Sequence, residues 1–228
     1  MKQNIVTSVV KTVVTKVVPF TPHSRSDLVA WYRYKKMITI TGSGVSNWAD
    51  VSGNGNDLQQ GTDANRPSKE SDGSILFDGI SQYLKTAGFT LNQPTTIYLL
   101  ARQVTWTDQE SIFDGNTLNS GRFQQITPSP NVRILAGSSV TNTEWTVNTY
   151  AILTCIFNGA SSSLRVNNNT AVAGNAGAGN MGGFTLGTRG DAAGSSCNLQ
   201  VKGTLIFDTA HDDSEQQKMY EYLKSINH

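Results

Sequence analysis

Charge is what this chain has least of. Asp, Glu, Lys and Arg make up 15% of its 228 residues, against a globular average of about 25%. Its polarity is carried instead by 66 Ser, Thr and Asn residues. This composition excludes a disordered polyelectrolyte and a long solvated coiled coil. The formal net charge of +1 supplies no global attraction to nucleic acid. No apolar run approaches the ~18 residues that span a bilayer, so no membrane insertion is expected. Cysteine is nearly absent: Cys155 and Cys197 make no disulfide framework, although a single bridge between them stays open. With no pair of His nearby they make no zinc site. Cys155 lies in the apolar run Ala151–Phe157, where a thiol behaves as a small core hydrophobe.

What the chain does have, from Leu28 onward, is many short strand patterns separated by polar turns. Leu199, Val201, Gly203, Leu205 and Phe207 alternate with Gln200, Lys202, Thr204 and Asp208, with Ile206 as the exception; this is the period-2 signature of a half-buried strand. Ile97, Leu99 and Ala101 share a face, as do Leu164 and Val166. Residues 149–157 are apolar on both faces, as a strand covered on both sides must be. Asp-Gly at 78–79 and 114–115 and Asn-Gly at 54–55 and 158–159 are turn dipeptides that reach positive φ cheaply. The pattern predicts an all-β antiparallel jelly-roll sandwich. Only the carboxyl end departs from it. Asp212 with Glu215 reads as a capping box, and Met219, Tyr222, Leu223 and Ile226 recur at helical spacing, predicting a short amphipathic helix over 213–226.

The amino terminus is of another character. Lys11 and Lys16 interrupt any apolar signal-peptide core, and no small-residue cleavage site follows. A four-residue rhythm runs through Val9, Val10, Lys11, Val13, Val14, Lys16, Val17 and Val18 and stops at Pro19. Its β-branched residues favour strand. With Lys2 included, residues 1–36 carry seven cations and one anion, while residues 37–228 carry eleven cations and sixteen anions. Residues 1–24 therefore read as a basic extended arm, and 25–228 as the sandwich. Within the arm, residues 1–22 are expected to tether the domain to another subunit through an open strand edge.

Leu28-Val29-Ala30-Trp31-Tyr32, Trp48-Ala49-Asp50 through Asp57, Ala64-Asn65-Arg66-Pro67, Leu76-Phe77-Asp78-Gly79 and Leu205-Ile206-Phe207-Asp208 follow in order along residues 27–226. Together they resemble the concanavalin A-like lectin/glucanase superfamily, in particular the laminin-G-like jelly rolls of bacterial surface proteins and bacteriophage virions. The resemblance implies a non-catalytic virion or surface structural protein: a decoration, fibre or adhesion module, oligomeric or part of an assembly. It would join other virion or surface subunits through its arm and possess, as an option, a site for host-surface glycans. A virion protein assembled in the host cytoplasm agrees with the missing signal pattern; a bacterial cell-surface or extracellular location is the alternative. Trp31, Trp48 and Phe77 read as core aromatics.

Three candidate sites stand out among the residues. In the loop from Asp50 to Gly61, Asp50, Ser52 and Asn54 sit at alternate positions before Gly55, a partial calcium-loop pattern, but Gly61 stands where a bidentate Glu belongs. Calcium at Asp50 and Asn54 is thus the weaker reading beside a self-bonded turn, and no other cofactor is implied. Family glucanases carry Glu-x-Asp-x-x-Glu, which sets a nucleophile and an acid on one strand face. Here Glu70-Ser71-Asp72 lacks the second Glu, so no catalytic residue is assigned, and a polysaccharide-degrading hydrolase or lyase is the alternative from another class. A glycan site needs an aromatic platform and planar polar groups. Trp106 and Trp145 in loop-like segments, with Arg122, Gln124 and Arg133 on neighbouring strands, are the candidates.

Overall fold

The computed structural model describes residues 20–227; the arm residues from Lys2 to Val18 lie outside the described residues. The strands, in chain order, are β1 (Leu28–Tyr32), β2 (Ile38–Thr41), β3 (Gly44–Trp48), β4 (Leu58–Gln59), β5 (Ser68–Lys69) and β6 (Ile75–Asp78). Then come β7 (Leu84–Lys85), β8 (Thr95–Gln103), β9 (Ser111–Asp114), β10 (Arg122–Gln125), β11 (Val132–Leu135) and β12 (Ser139–Asn142). The last are β13 (Ala151–Phe157), β14 (Ser162–Val166), β15 (Val172–Gly174), β16 (Thr185–Leu186) and β17 (Asn198–Phe207), before helix α1 (Asp213–Ser225). They form two antiparallel sheets. The first runs β15-β14-β13-β8-β17-β6-β5, with β1 also paired to β17; the second runs β12-β11-β10-β9-β16-β7-β4-β3-β2.

Two hydrophobic layers explain why these elements stack. Between the sheets lie Val45, Trp48, Leu58, Phe77, Leu99, Phe113, Phe123, Leu153, Phe157 and Phe184, among others. Phe113 sits 5.5 Å from Phe123 and 5.2 Å from Phe184, ring centre to ring centre. Each such side chain contributes about 1.5–3 kcal/mol by leaving water. On the far side of the first sheet, Trp31, Tyr98, Leu100, Ile152, Leu205 and Phe207 meet Met219 and Leu223 of α1. This explains why residues 151–157 are buried on both faces: one face looks to the second sheet and the other to the helix. The cap of α1 is reciprocal, Asp212 accepting from the Glu215 amide at 2.8 Å and Glu215 from the Asp212 amide at 2.9 Å.

The alternation of β17 needs one correction. A bulge at Lys202 shifts its register against β8 between Val201 and Gly203. Leu199, Val201 and Ile206 therefore face the inter-sheet core, whereas Leu205 and Phe207 turn to the helix. The apparent exception at Ile206 is the consequence of that extra residue. Trp48 and Phe77 are inter-sheet residues, and Trp31 belongs to the helix layer. Gly55, Gly79 and Gly159 take left-handed φ of 76°, 74° and 53°, as their turns require. Gly115 is needed for another reason: a Cβ there would lie 2.6 Å from the Met181 carbonyl. Cys155 and Cys197 are both buried free thiols, so no bridge forms between them. Phe20 packs on the helix layer and Pro22 is buried, so the sandwich begins to hold the chain before residue 25.

Candidate functional site

On the second sheet, strand alternation sends Phe123, Val132 and Ile134 inward and Arg122, Gln124, Arg133 and Leu135 to the opposite, outward face. Register pairs Gln124 with Arg133, Arg122 with Leu135, and Gln124 with Ser111, so these side chains are cross-strand neighbours. Gln109, at the end of the loop after β8, adopts φ of 65° and is held by its amide on the Gln125 carbonyl at 3.0 Å. Its Oε1 accepts from Gln124 Nε2 at 2.8 Å and from Arg133 Nη2 at 3.3 Å. Beside this triplet is a groove of about 200 Å³ lined by Arg133, Leu135, Gly137, Ser138 and Ser139.

On the loop after β8 and the strands beside it, five buried polar atoms have no partner among the described residues. They are Trp106 Nε1, Glu110 Oε2, Ser111 Oγ, Gln124 Oε1 and Arg133 Nε. Each unmet group of this kind costs about 1–3 kcal/mol, so their concentration on one loop and the strands beside it marks a place where stability is given up. Burial also pushes the Glu110 carboxyl up to about 7. A cation, hydroxyls and an aliphatic side chain lining one groove can bind the hydroxyls and the apolar face of a small polar molecule.

The sequence candidates do not all meet there. Arg122 is buried and its Nε and Nη2 both donate to Asp114 Oδ2, at 3.0 and 2.9 Å. Asp114 also accepts from the amides of Gly115, Asn119 and Gly190. Its carboxyl is raised because burial outweighs Arg122. Arg122 is thus committed to an internal ion pair and corrected as a free ligand contact. Trp145 is corrected too. Only 1% exposed, it stacks on Phe123 with planes 10° apart and donates Nε1 to the Thr149 carbonyl at 3.2 Å, so its ring cannot meet a sugar. Gln124 is 1% exposed and lies in contact with Gln109. Trp106 is half-buried, and Arg133 alone among the candidates lines the groove. Gln109, Leu135, Ser138 and Ser139 were missed because nothing in their local sequence distinguishes them from ordinary loop and strand residues.

The calcium option at Asp50 and Asn54 is overturned. Asp50 Oδ1 accepts from the amides of Trp31 and Ser52, and Oδ2 from Ser52 Oγ and the Asn56 amide. Asn54 Nδ2 donates to the Leu28 and Val29 carbonyls. The loop is a cover for the open edge of β1, its carboxylate already filled by chain donors. Among the described residues no cluster of three or more His, Cys, Asp or Glu side chains is arranged to hold a metal ion.

A second polar region lies on the helix side, where a groove of about 480 Å³ is lined by Ser24, Arg25, Ser26, Asp27, Thr209, Ala210 and Glu215. Arg25 there bridges Asp27 at 2.7 Å and Glu215 at 2.6 Å, and Asp27 also accepts from Thr209 Oγ1. Behind it the His211 side chain is wholly buried, so its imidazole is not presented to the groove.

The fold and site together define an all-β, two-sheet antiparallel sandwich with one C-terminal helix and a polar outward face. No family model and no curated protein matches the chain. Solved structures do. Trypanosoma rangeli sialidase in complex with sialic acid is similar over 92% of this chain and 35% of its own, with a TM-score of 0.62 and 14% identity. Domain 4 of a GH43 extracellular arabinanase from Geobacillus stearothermophilus, in complex with arabinotriose, is similar over 86% of this chain and 98% of its own, with a TM-score of 0.61 and 14% identity. A GH54 α-L-arabinofuranosidase is similar over 78% and 50%, with a TM-score of 0.58 and 12% identity. At these identities the likeness is one of fold, and the chain spans about a third of the sialidase's length.

Proposed function

We propose that this chain is a non-catalytic carbohydrate-binding sandwich domain whose sugar lies on the outward face of β10 and β11, in the groove beside Arg133. The observation that carries this reading is the groove itself, lined by the aliphatic Leu135, the hydroxyl-bearing Ser138 and Ser139, and the cationic Arg133. That is the combination a sugar's apolar face and hydroxyls require. Two structures of similar fold are complexes with sugars, sialic acid and arabinotriose, which supports the class without locating the site. A panel of polysaccharides and oligosaccharides screened by microarray and calorimetry tests it. Binding that weakens at least tenfold in Arg133→Ala is expected. Binding unchanged in that variant would remove the groove from consideration. New reducing ends or unsaturated products during incubation would replace the reading with a polysaccharide-degrading enzyme.

The display of this domain on a virion or cell surface through residues 1–22 is the finer part of the proposal. It rests on the sequence of the arm and on the basic excess there. Because Phe20 and Pro22 pack on the sandwich, the informative truncation stops at residue 19. A truncated chain that stays folded and still binds sugar, but no longer joins larger assemblies, is expected.

A further inference from the structure

We infer that the sugar received at Arg133 carries a carboxylate; this rests on the carbohydrate-binding reading above. The reason is a comparison across all eight arginines of the chain. Arg25, Arg66, Arg122, Arg165 and Arg189 each pair with a carboxylate. Arg33 lies over the Trp31 ring at 5.4 Å and Arg102 over Tyr150 at 5.4 Å. Arg133 has neither kind of partner among the described residues. Its one side-chain hydrogen bond is the 3.3 Å contact to the neutral amide oxygen of Gln109, and its Nε has none.

A guanidinium presents five donors in a rigid fork that matches a planar carboxylate bidentately. Every other arginine of this chain lies against a carboxylate or an aromatic face. Arg133 stands unmet at the wall of a groove whose other lining residues, Leu135, Gly137, Ser138 and Ser139, carry no charge. A neutral sugar would leave the cation uncompensated, whereas a uronic acid or another carboxylated sugar supplies the missing anion. Gln109 has a positioning role: by accepting from both Gln124 Nε2 and Arg133 Nη2 it fixes one end of the fork, so less ordering is left for the ligand to impose. Within the sheet, Asp114 is paired with Arg122; outside it, Asp108 accepts from Gln109 Nε2 at 3.4 Å.

The test uses the full chain and calorimetry with oligogalacturonate, oligoguluronate and sialyllactose, each beside its carboxyl-reduced counterpart, and with a sulfated oligosaccharide of similar length. At least one acid is expected to bind ten times or more tighter than its reduced form, with affinity falling as salt rises. Arg133→Gln should abolish that preference while leaving residual binding of the reduced sugar, and Gln109→Ala should reduce it in part. Equal affinity for acid and reduced forms, or tighter binding of the sulfated sugar, overturns the carboxylate inference and leaves the carbohydrate-binding reading standing. No binding of any sugar overturns both. Circular dichroism of the variants separates lost contacts from lost folding.

Discussion

The Tyr98 hydroxyl donates to His211 Nδ1 at 2.8 Å across 113 residues of sequence, in a fully buried contact. On the other side of the ring, Nε2–H faces Asp27 at 3.2 Å, and Asp27 in turn holds Arg25. The chain's entry to the sandwich, β8 and the start of α1 are thereby tied through one neutral imidazole.

Protonating that imidazole should loosen the tie. Burial, and then the charge of Arg25, hold His211 below its usual 6.5, although Asp27 and Glu215 oppose this. Its folded-state pKa is thus lower than its unfolded one, so its contribution to stability is complete above pH 6.5 and is lost as pH falls below it. Burial alone would raise the Asp27 carboxyl, but bonds from Arg25 and Thr209 hold it well below the carboxylate range, so it adds acid sensitivity only at much lower pH. His211→Gln should cost more stability at pH 7 than at pH 5, since only the neutral imidazole makes this tie, so the slope of urea midpoint against pH should differ between variant and parent. An unchanged slope in the variant would count against His211.

Glu110 has the opposite sign. Its folded-state value of about 7 lies above the ordinary 4.5 because of burial, so the fold prefers the protonated acid. Stability from this group is complete below pH 4.5 and is lost as pH rises through about 7. Glu110→Gln should therefore gain stability relative to the parent at pH 8.5 and show no gain at pH 4.5, measured by denaturant unfolding at both values. A constant difference at the two pH values would refute the assignment.

Asp114 is expected to be the most sensitive charged position on the outward face. Its side chain is fully buried against Arg122 and collects three backbone amides. Asp114→Ala leaves the guanidinium and those amides unpaired, which should cost about 3–5 kcal/mol. Asp114→Asn keeps an acceptor and should cost less. Unfolding free energies in urea give both numbers.

The architecture was legible because its signals are local and repeated. Residues 151–157 are apolar on both faces with Thr154 the one polar side chain, and such a strand needs cover on both faces, which the second sheet and α1 supply. The helix announced itself through Asp212, Glu215 and the Met219–Leu223 stripe. The site was legible only in part. Arg133 was visible as a strand residue beside Gln124. Trp145 looked like a loop aromatic, since polar neighbours on both sides conceal that its segment folds back onto Phe123.

What the sequence by itself determined is the alternation, the turns and the caps, because strand and helix periods act over a few residues and need no knowledge of distant partners. Which charges neutralise one another was decided only by tertiary structure. Arg122 and Arg133 stand on adjacent paired strands with similar surroundings in sequence. Register puts one against Asp114 and leaves the other at an uncharged groove. The loop at Asp50 likewise becomes an edge cover only when β1 lies within reach of its carboxylate. Pairings of that kind depend on where the folded sheets bring distant residues together, and local sequence carries no record of it.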